Sequence, residues 1–75
     1  MDKDKIKSLL EDVREQIDLG EMYYATNAFK MAEVSFIVAL AALELNDHQS
    51  NLMYPRVLAN MGMLYNGMGR YQLAM

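Results

Sequence analysis

Residues 19–40 read LGEMYYATNAFKMAEVSFIVAL, and they decide the fold of this 75-residue chain. Asn27 separates two stretches of helix-forming residues, and asparagine readily adopts the left-handed conformation with which helices often end. The segment therefore predicts two helices joined by a tight turn. Gly20 before the turn and Ala32 after it are small, which lets two antiparallel helices approach closely.

The apolar residues before this segment recur at three- and four-residue steps, as the buried face of a helix does. They are Ile6, Leu9, Leu10, Val13 and Ile17. A first helix is therefore predicted from Asp4 to about Tyr24, and a second from Ala28 to Leu45. The second helix is apolar almost all the way round, so neighbours should cover more than one of its sides.

A polar, turn-prone connector follows at residues 46–51. Pro55 suits the first turn of a third helix, because that turn needs no amide donor there. We expect the third helix to run to about Asn66 and the glycines of residues 67–69 to make a turn. Residues 71–75 would then begin a fourth helix.

The chain resembles itself when it is shifted by 42 residues. The pairs of similar type are Leu19 with Met61, Gly20 with Gly62, Tyr23 with Tyr65, Asn27 with Gly69, Phe29 with Tyr71 and Ala32 with Ala74. A fixed period is typical of stacked helical units, none of which buries its apolar face alone. In each unit we expect the small residues to lie at a helix contact and aromatic residues, such as Tyr23 and Phe36, to fill the space beside it.

Two motifs, Leu19-Gly20-x-x-Tyr23 and Phe29-x-x-Ala32-x-x-x-Phe36-x-x-Ala39-Leu40, resemble a tetratricopeptide repeat. The resemblance implies an all-α fold of antiparallel helical hairpins stacked as a right-handed superhelix, with about 1.5 repeats and three to four helices. The chain would be a single domain. Its first repeat would span about 13–54, with an N-terminal helix extension over 4–12, and a partial second repeat would span about 55–75.

The sequence departs from the family pattern in two ways. The usual period is about 34 residues, and the longer period here is similar to that of kinesin light chains and some bacterial signalling proteins. Gln16 also replaces the usual large apolar residue that opens the motif, and Asn46-Asp47 replaces the usual proline after the second helix.

The resemblance implies a protein-interaction module, an adaptor or scaffold that binds a partner protein or peptide in the groove formed by the first helix of each repeat. By position, the partner-binding residues are Arg14, Ile17, Glu21, Tyr24, Arg56, Asn60, Met63 and Asn66. Asn60 stands out because an amide both donates and accepts hydrogen bonds, although a solvated helix asparagine is the plainer interpretation. Ile17 and Glu21 replace the first two residues with which some relatives hold a terminal carboxylate, so capture of a carboxyl terminus is not expected.

Two other functions remain open, a small co-chaperone of a bacterial type III secretion system and a purely structural oligomer. Self-association, most simply as a homodimer, is expected because 53% of so short a chain is hydrophobic and only 23% is charged. A chain of this length buries too little surface to be more than marginally stable alone. An incomplete fourth helix would also leave the third uncovered.

No catalytic machinery, cofactor or metal site is predicted. The chain has no cysteine, and its one histidine, His48, is expected to be a solvated connector residue. A net charge of -3 gives no footprint for nucleic acid or an anionic membrane. The N-terminus lacks the apolar core of a secretory signal, and the most apolar stretch, residues 34–43, is about half of a bilayer span. We therefore expect a cytoplasmic protein.

Overall fold

The computed structural model describes residues 3–74, with side chains described for residues 3–69. Three helices make up most of it: α1 at Lys3–Ala25, α2 at Phe29–Leu45 and α3 at Met53–Ala74. No strand occurs within residues 3–74, so the predicted all-α class is confirmed. Successive helices run antiparallel, so α1 and α3 point the same way in a slender body of 49 × 19 × 15 Å.

The turn between α1 and α2 is centred on Asn27, as the sequence predicts. Its φ is 64°, in the left-handed region. The Ala28 amide donates to the Tyr23 carbonyl at 2.8 Å, and the Asn27 amide donates to the Tyr24 carbonyl at 3.0 Å. This pair of bonds is the Schellman motif, which satisfies the last carbonyls of a helix.

The end of α2 repeats this arrangement one helix later. Asp47 has a φ of 57°. The His48 amide donates to the Leu43 carbonyl at 2.7 Å, and the Asp47 amide donates to the Glu44 carbonyl at 3.2 Å. Both helices therefore end with an acidic or amide residue at the position that glycine most often holds.

The start of α3 is set by Asn51, whose side-chain oxygen accepts a hydrogen bond from the Met53 amide at 2.9 Å. The Asn51 carbonyl also accepts from the Tyr54 amide at 3.0 Å. Pro55 follows within the first turn, where a missing donor costs little. The expected position of Pro55 in the third helix is confirmed.

The expected turn at residues 67–69, with a new helix after it, is wrong, because α3 runs unbroken to Ala74. Glycine ends a helix by adopting a positive φ, and no glycine of the described chain does so. A helix tolerates each glycine at a cost of about 1 kcal/mol. Gly67 instead faces Tyr24, whose ring would lie 3.4 Å from a Cβ there. The described part of the chain does not include Met75 or the side chains of Tyr71 and Ala74. The pairing of Tyr71 with Phe29 and of Ala74 with Ala32 in the repeat therefore lies outside it.

The hydrophobic core is formed by one face of each helix. Its buried members are Val13, Ile17, Ala32, Phe36, Ala39, Leu43, Val57 and Leu64. The predicted apolar face of α1 is confirmed by Val13 and Ile17, which point into this core. The expectation for α2 needs correction, because neighbours cover only one side of it. Its opposite side exposes several large apolar residues, among them Val34 and Leu45.

The close approach of α1 and α2 at Gly20 is confirmed. Gly20 is buried, and a Cβ there would overlap the ring of Phe36, coming within 2.7 Å of Cδ1. Gly62, the corresponding residue of the second unit, has no neighbour within 4 Å of a Cβ position. Only the first unit therefore builds the small-residue contact among the described residues.

Within residues 3–74, no helix combines the length and hydropathy needed to cross a lipid bilayer.

Candidate partner-binding groove

An open groove of about 570 Å³ lies between the N-terminal half of α1 and the start of α3. Its apolar floor comes from three residues, Ile6, Leu10 and Met53. Ile6 and Leu10 are one helical turn apart, so they present adjacent side chains along α1. The groove is therefore an apolar trough that follows the direction of α1.

Basic residues dominate the charge of this groove. Lys3, Lys7 and Arg14 line it, and within the described residues none of them forms an ion pair. Glu11 is the one carboxylate among the lining residues. A chain with net negative charge thus has one groove whose lining side chains are mostly basic.

The groove ends at a hydrogen-bonded cluster that joins α3 to α1, here called the Glu21 cluster and made of Asp18, Glu21, Arg56 and Asn60. The Arg56 guanidinium donates to both carboxylate oxygens of Glu21, from Nε at 3.1 Å and from Nη2 at 2.7 Å. Arg56 Nη2 also donates to Asp18 at 3.1 Å. Asn60 Nδ2 donates to Glu21 Oε2 at 2.7 Å. Two-point pairing of this kind fixes the orientation of both side chains.

Charge pairing in the Glu21 cluster shifts two pKa values. The hydrogen bond from Arg56 lowers the pKa of Glu21, against partial burial that acts to raise it, with a further lowering from Asn60. Glu21 in turn raises the pKa of Arg56. Both groups stay charged at neutral pH, so the cluster is a permanent link between the two helices.

A second, smaller depression of about 220 Å³ lies beyond the Glu21 cluster. It is lined by Glu21, Tyr24, Phe36, Asn60 and Met63. The Tyr24 ring is held by Phe29, with ring centroids 5.8 Å apart. Two members of the Glu21 cluster, Glu21 and Asn60, line this smaller depression, and a third, Arg56, lines the larger groove. The cluster therefore lies between the two depressions, along the boundary between α1 and α3.

The structure brings together most of the eight residues that the sequence assigns to partner binding. Arg14 and Arg56 line the larger groove, and Glu21, Tyr24, Asn60 and Met63 line the smaller depression. The assignment of Ile17 needs correction, because its side chain is 0% exposed and belongs to the core. Asn66 is exposed on α3 but lines neither depression.

Sequence reasoning missed the residues that give the groove its character. Lys3 and Lys7 form the rim, and Ile6 and Leu10 form the floor. A signal was present, since two lysines and two apolar residues each recur at four-residue spacing in α1. The net charge of the whole chain hides this local excess of positive charge.

Potential metal ligands and the environment of His48 are the remaining features of interest in the described part of the chain. No group of three histidine or acidic side chains suited to a metal ion occurs there. His48 differs from its expected solvated state, because it is half-buried and its Nε2 makes no hydrogen bond to a described residue. The reason is the turn after α2, which places His48 directly after the left-handed Asp47.

Comparison with known proteins adds no relative. No family model matches this chain, and no curated protein or solved structure matches it either. The tetratricopeptide resemblance therefore stays a prediction.

Proposed function

We propose that this protein is an interaction module, a tetratricopeptide-like adaptor or scaffold that binds a segment of a partner protein between α1 and α3. The observation that carries the proposal is the groove itself. An apolar floor is bordered by cations that have no ion-pair partner among the described residues. Such a surface is incomplete until apolar side chains and carboxylates cover it.

The chemistry of the groove favours an acidic amphipathic segment as the partner. Lys3 and Lys7 lie one turn apart above a floor whose residues Ile6 and Leu10 have the same spacing. A partner helix that places apolar residues four apart would match the floor, as helices do when they bind in grooves. Carboxylates beside those residues would meet the lysines. Their methylene stems add apolar contact while the ammonium groups stay hydrated.

Nucleic acid is a weaker fit to the same groove. Single-stranded nucleic acid is bound largely by stacking its bases on aromatic side chains. None of the residues lining the larger groove is aromatic. Glu11 on the wall would also repel a phosphate backbone.

The directions of the helices and one close contact support the tetratricopeptide-like arrangement that we propose. α1 and α3 run in the same direction, as the first helices of successive repeats would, and α2 runs between them in the opposite direction. The contact of Gly20 with Phe36 lies where the repeat pattern predicts a close approach.

The proposal is tested with two synthetic helical peptides that share a leucine pattern at four-residue spacing. One carries glutamates beside the leucines, and the other carries lysines. Fluorescence anisotropy at low salt should detect binding of the acidic peptide alone, and added salt should weaken that binding because exposed charges are screened.

Charge reversal then tests the site. Lys7→Glu should weaken binding of the acidic peptide by about tenfold or more, which is about 1.4 kcal/mol. Lys5→Glu is the matched control, since Lys5 lies in the same turns of α1 but does not line the groove. Equal binding of both peptides, or equal losses for the two variants, would show that the groove is not the site.

A further inference from the structure

The side of α2 that faces away from α1 and α3 carries a regular row of apolar residues, here called the outer seam. Its members are Met31, Val34, Val38, Ala41 and Leu45. All five are exposed, and the exposed fraction reaches 62% at Val34 and 84% at Leu45. No described element packs over this face of the helix, although Val38 at its edge also lines a depression of about 250 Å³ beside α1.

The spacing of the outer seam distinguishes it from scattered surface apolar residues. Its members are separated alternately by three and four residues over the length of α2. This is the pattern with which one helix packs against another along a narrow line of contact. The buried face of α2, with Phe36 and Leu43, lies on the opposite side, so α2 has two separate apolar faces.

Charged residues near the outer seam favour one of the two directions, parallel or antiparallel, in which a second helix could pack on it. Lys30 borders the seam at its start, where it also lies 3.9 Å from Glu33. Glu44 borders the seam at its end, where it also accepts a hydrogen bond from the Tyr54 hydroxyl at 3.3 Å. Both contacts are exposed and leave each group accessible to a second copy. A parallel second copy of α2 would place Lys30 against Lys30 and Glu44 against Glu44. An antiparallel copy would place Lys30 against Glu44 of the second copy, twice, because a two-fold interface repeats each contact.

We propose that two copies of this chain form a two-fold dimer in which the outer seams pack antiparallel, with Val38 close to the symmetry axis. None of the seam residues lines the groove between α1 and α3. The dimer therefore does not depend on the proposed function, and it leaves both grooves open. Two linked grooves would bind a partner with two acidic segments more tightly than either groove alone.

Sedimentation equilibrium tests the association directly. The wild-type chain should have twice the monomer mass of 8.6 kDa at micromolar concentration. Val38→Glu should weaken dimerisation at least tenfold, because it buries a carboxylate at the axis without a partner. Met22→Glu is the matched control, since Met22 is 54% exposed on α1 and lies outside the seam. Circular dichroism of each variant shows whether the helices remain.

Single cysteines test the direction, since the chain has none of its own. Val38→Cys should form a disulfide dimer under mild oxidation, because residues at a two-fold axis meet their own copies. Met31→Cys should not react with itself but should link to Leu45→Cys when the two variants are mixed. These two positions are about 21 Å apart along α2, and a disulfide requires Cα atoms within about 7 Å.

Substitutions of Lys30 and Glu44 test the dimer without changing the apolar residues of the seam. Lys30→Glu should weaken the dimer, and adding Glu44→Lys in the same chain should restore it. A wild-type chain that stays a folded monomer at micromolar concentration would overturn the proposal. So would a Met31→Cys variant that links to itself, or a Val38→Glu variant that dimerises as the wild type does.

Discussion

The ring of Phe36 fills the space that a side chain at Gly20 would need. A Cβ at Gly20 would lie 2.7 Å from Cδ1 and 2.9 Å from Cζ of that ring. Phe36 is 1% exposed, so the ring could avoid such a side chain only by shifting within the core or toward the smaller depression that it lines. The distance between α1 and α2 is therefore set by a missing side chain on one helix and an aromatic ring on the other.

Gly20→Ala should destabilise the protein, although alanine is the better helix former. Crowding in a packed core costs about 1 to 3 kcal/mol, and the gain in helix propensity returns about 1 kcal/mol of that. Gly62→Ala is the control, because its Cβ would meet nothing within 4 Å. It should stabilise the protein by about 0.5 to 1 kcal/mol. Urea unfolding of the two variants should thus shift in opposite directions, and equal shifts would contradict the close approach.

Glycine should be preferred to the natural residue at both helix ends. Asn27 and Asp47 hold positive φ values, 64° and 57°, which glycine adopts without strain. Asn27→Gly and Asp47→Gly should each leave the melting temperature unchanged or raise it slightly. Asn27→Val should lower the free energy of unfolding by about 1 to 2 kcal/mol, because a β-branched residue is strained there. A thermal melt of Asn27→Val that matches the wild type would show that the turn has another conformation.

Acid should weaken the link between α1 and α3 through Glu21. The pKa of Glu21 is below its ordinary value of 4.5 in the folded state, chiefly because Arg56 donates hydrogen bonds to it. The charged form therefore contributes stability above about pH 4.5, and this contribution is lost as pH falls through the lowered pKa. The free energy of unfolding should therefore decrease as the pH is lowered below about 5, as it does for other carboxylates that are paired in the folded state.

Glu21→Gln isolates this effect. The variant should be less stable than the wild type at neutral pH and should lose less stability on acidification. The two unfolding curves should converge at low pH, where Glu21 is protonated. A constant difference between them across this range would mean that another carboxylate controls the acid response. Because Glu21 is 38% exposed, solvent screening keeps the effect small.

The unbroken course of α3 predicts the effect of a substitution at Gly69. This residue has no positive φ, and a Cβ there would meet nothing within 4 Å. Gly69→Ala should therefore increase helix content and stabilise the end of α3 by up to about 1 kcal/mol. Backbone chemical shifts give the readout. If residues 67–69 formed a left-handed turn instead, the same substitution would reduce stability.

The sequence predicted the fold best where the structure depends on residues that are close together in the chain. Asn27 marked the first turn, and Pro55 marked the beginning of α3, because both act through their own backbone preferences. The periodicity around Val13 and Ile17 located the buried face of α1. The same reasoning failed at residues 67–69, because glycine permits a turn without requiring one.

The candidate site was harder to predict, because it depends on how far α3 is displaced along α1. Position in the repeat identified Arg56 and Asn60 but not that both donate to Glu21. The repeat pattern placed Ile17 in the groove, whereas its side chain is buried in the core. The four-residue spacing of Lys3 and Lys7 is visible in the sequence, but their position beside Met53 depends on how α3 packs against α1.

The pairing of Arg56 with Glu21 spans 35 residues of chain, whereas each turn motif closes over only five. Local closures form quickly during folding, and distant ones wait for the chain between them to become ordered. We expect the hairpin of α1 and α2 to form early and α3 to dock afterwards. The ion pair between Arg56 and Glu21 would then form late in folding. The groove beside it would exist only once α3 has docked.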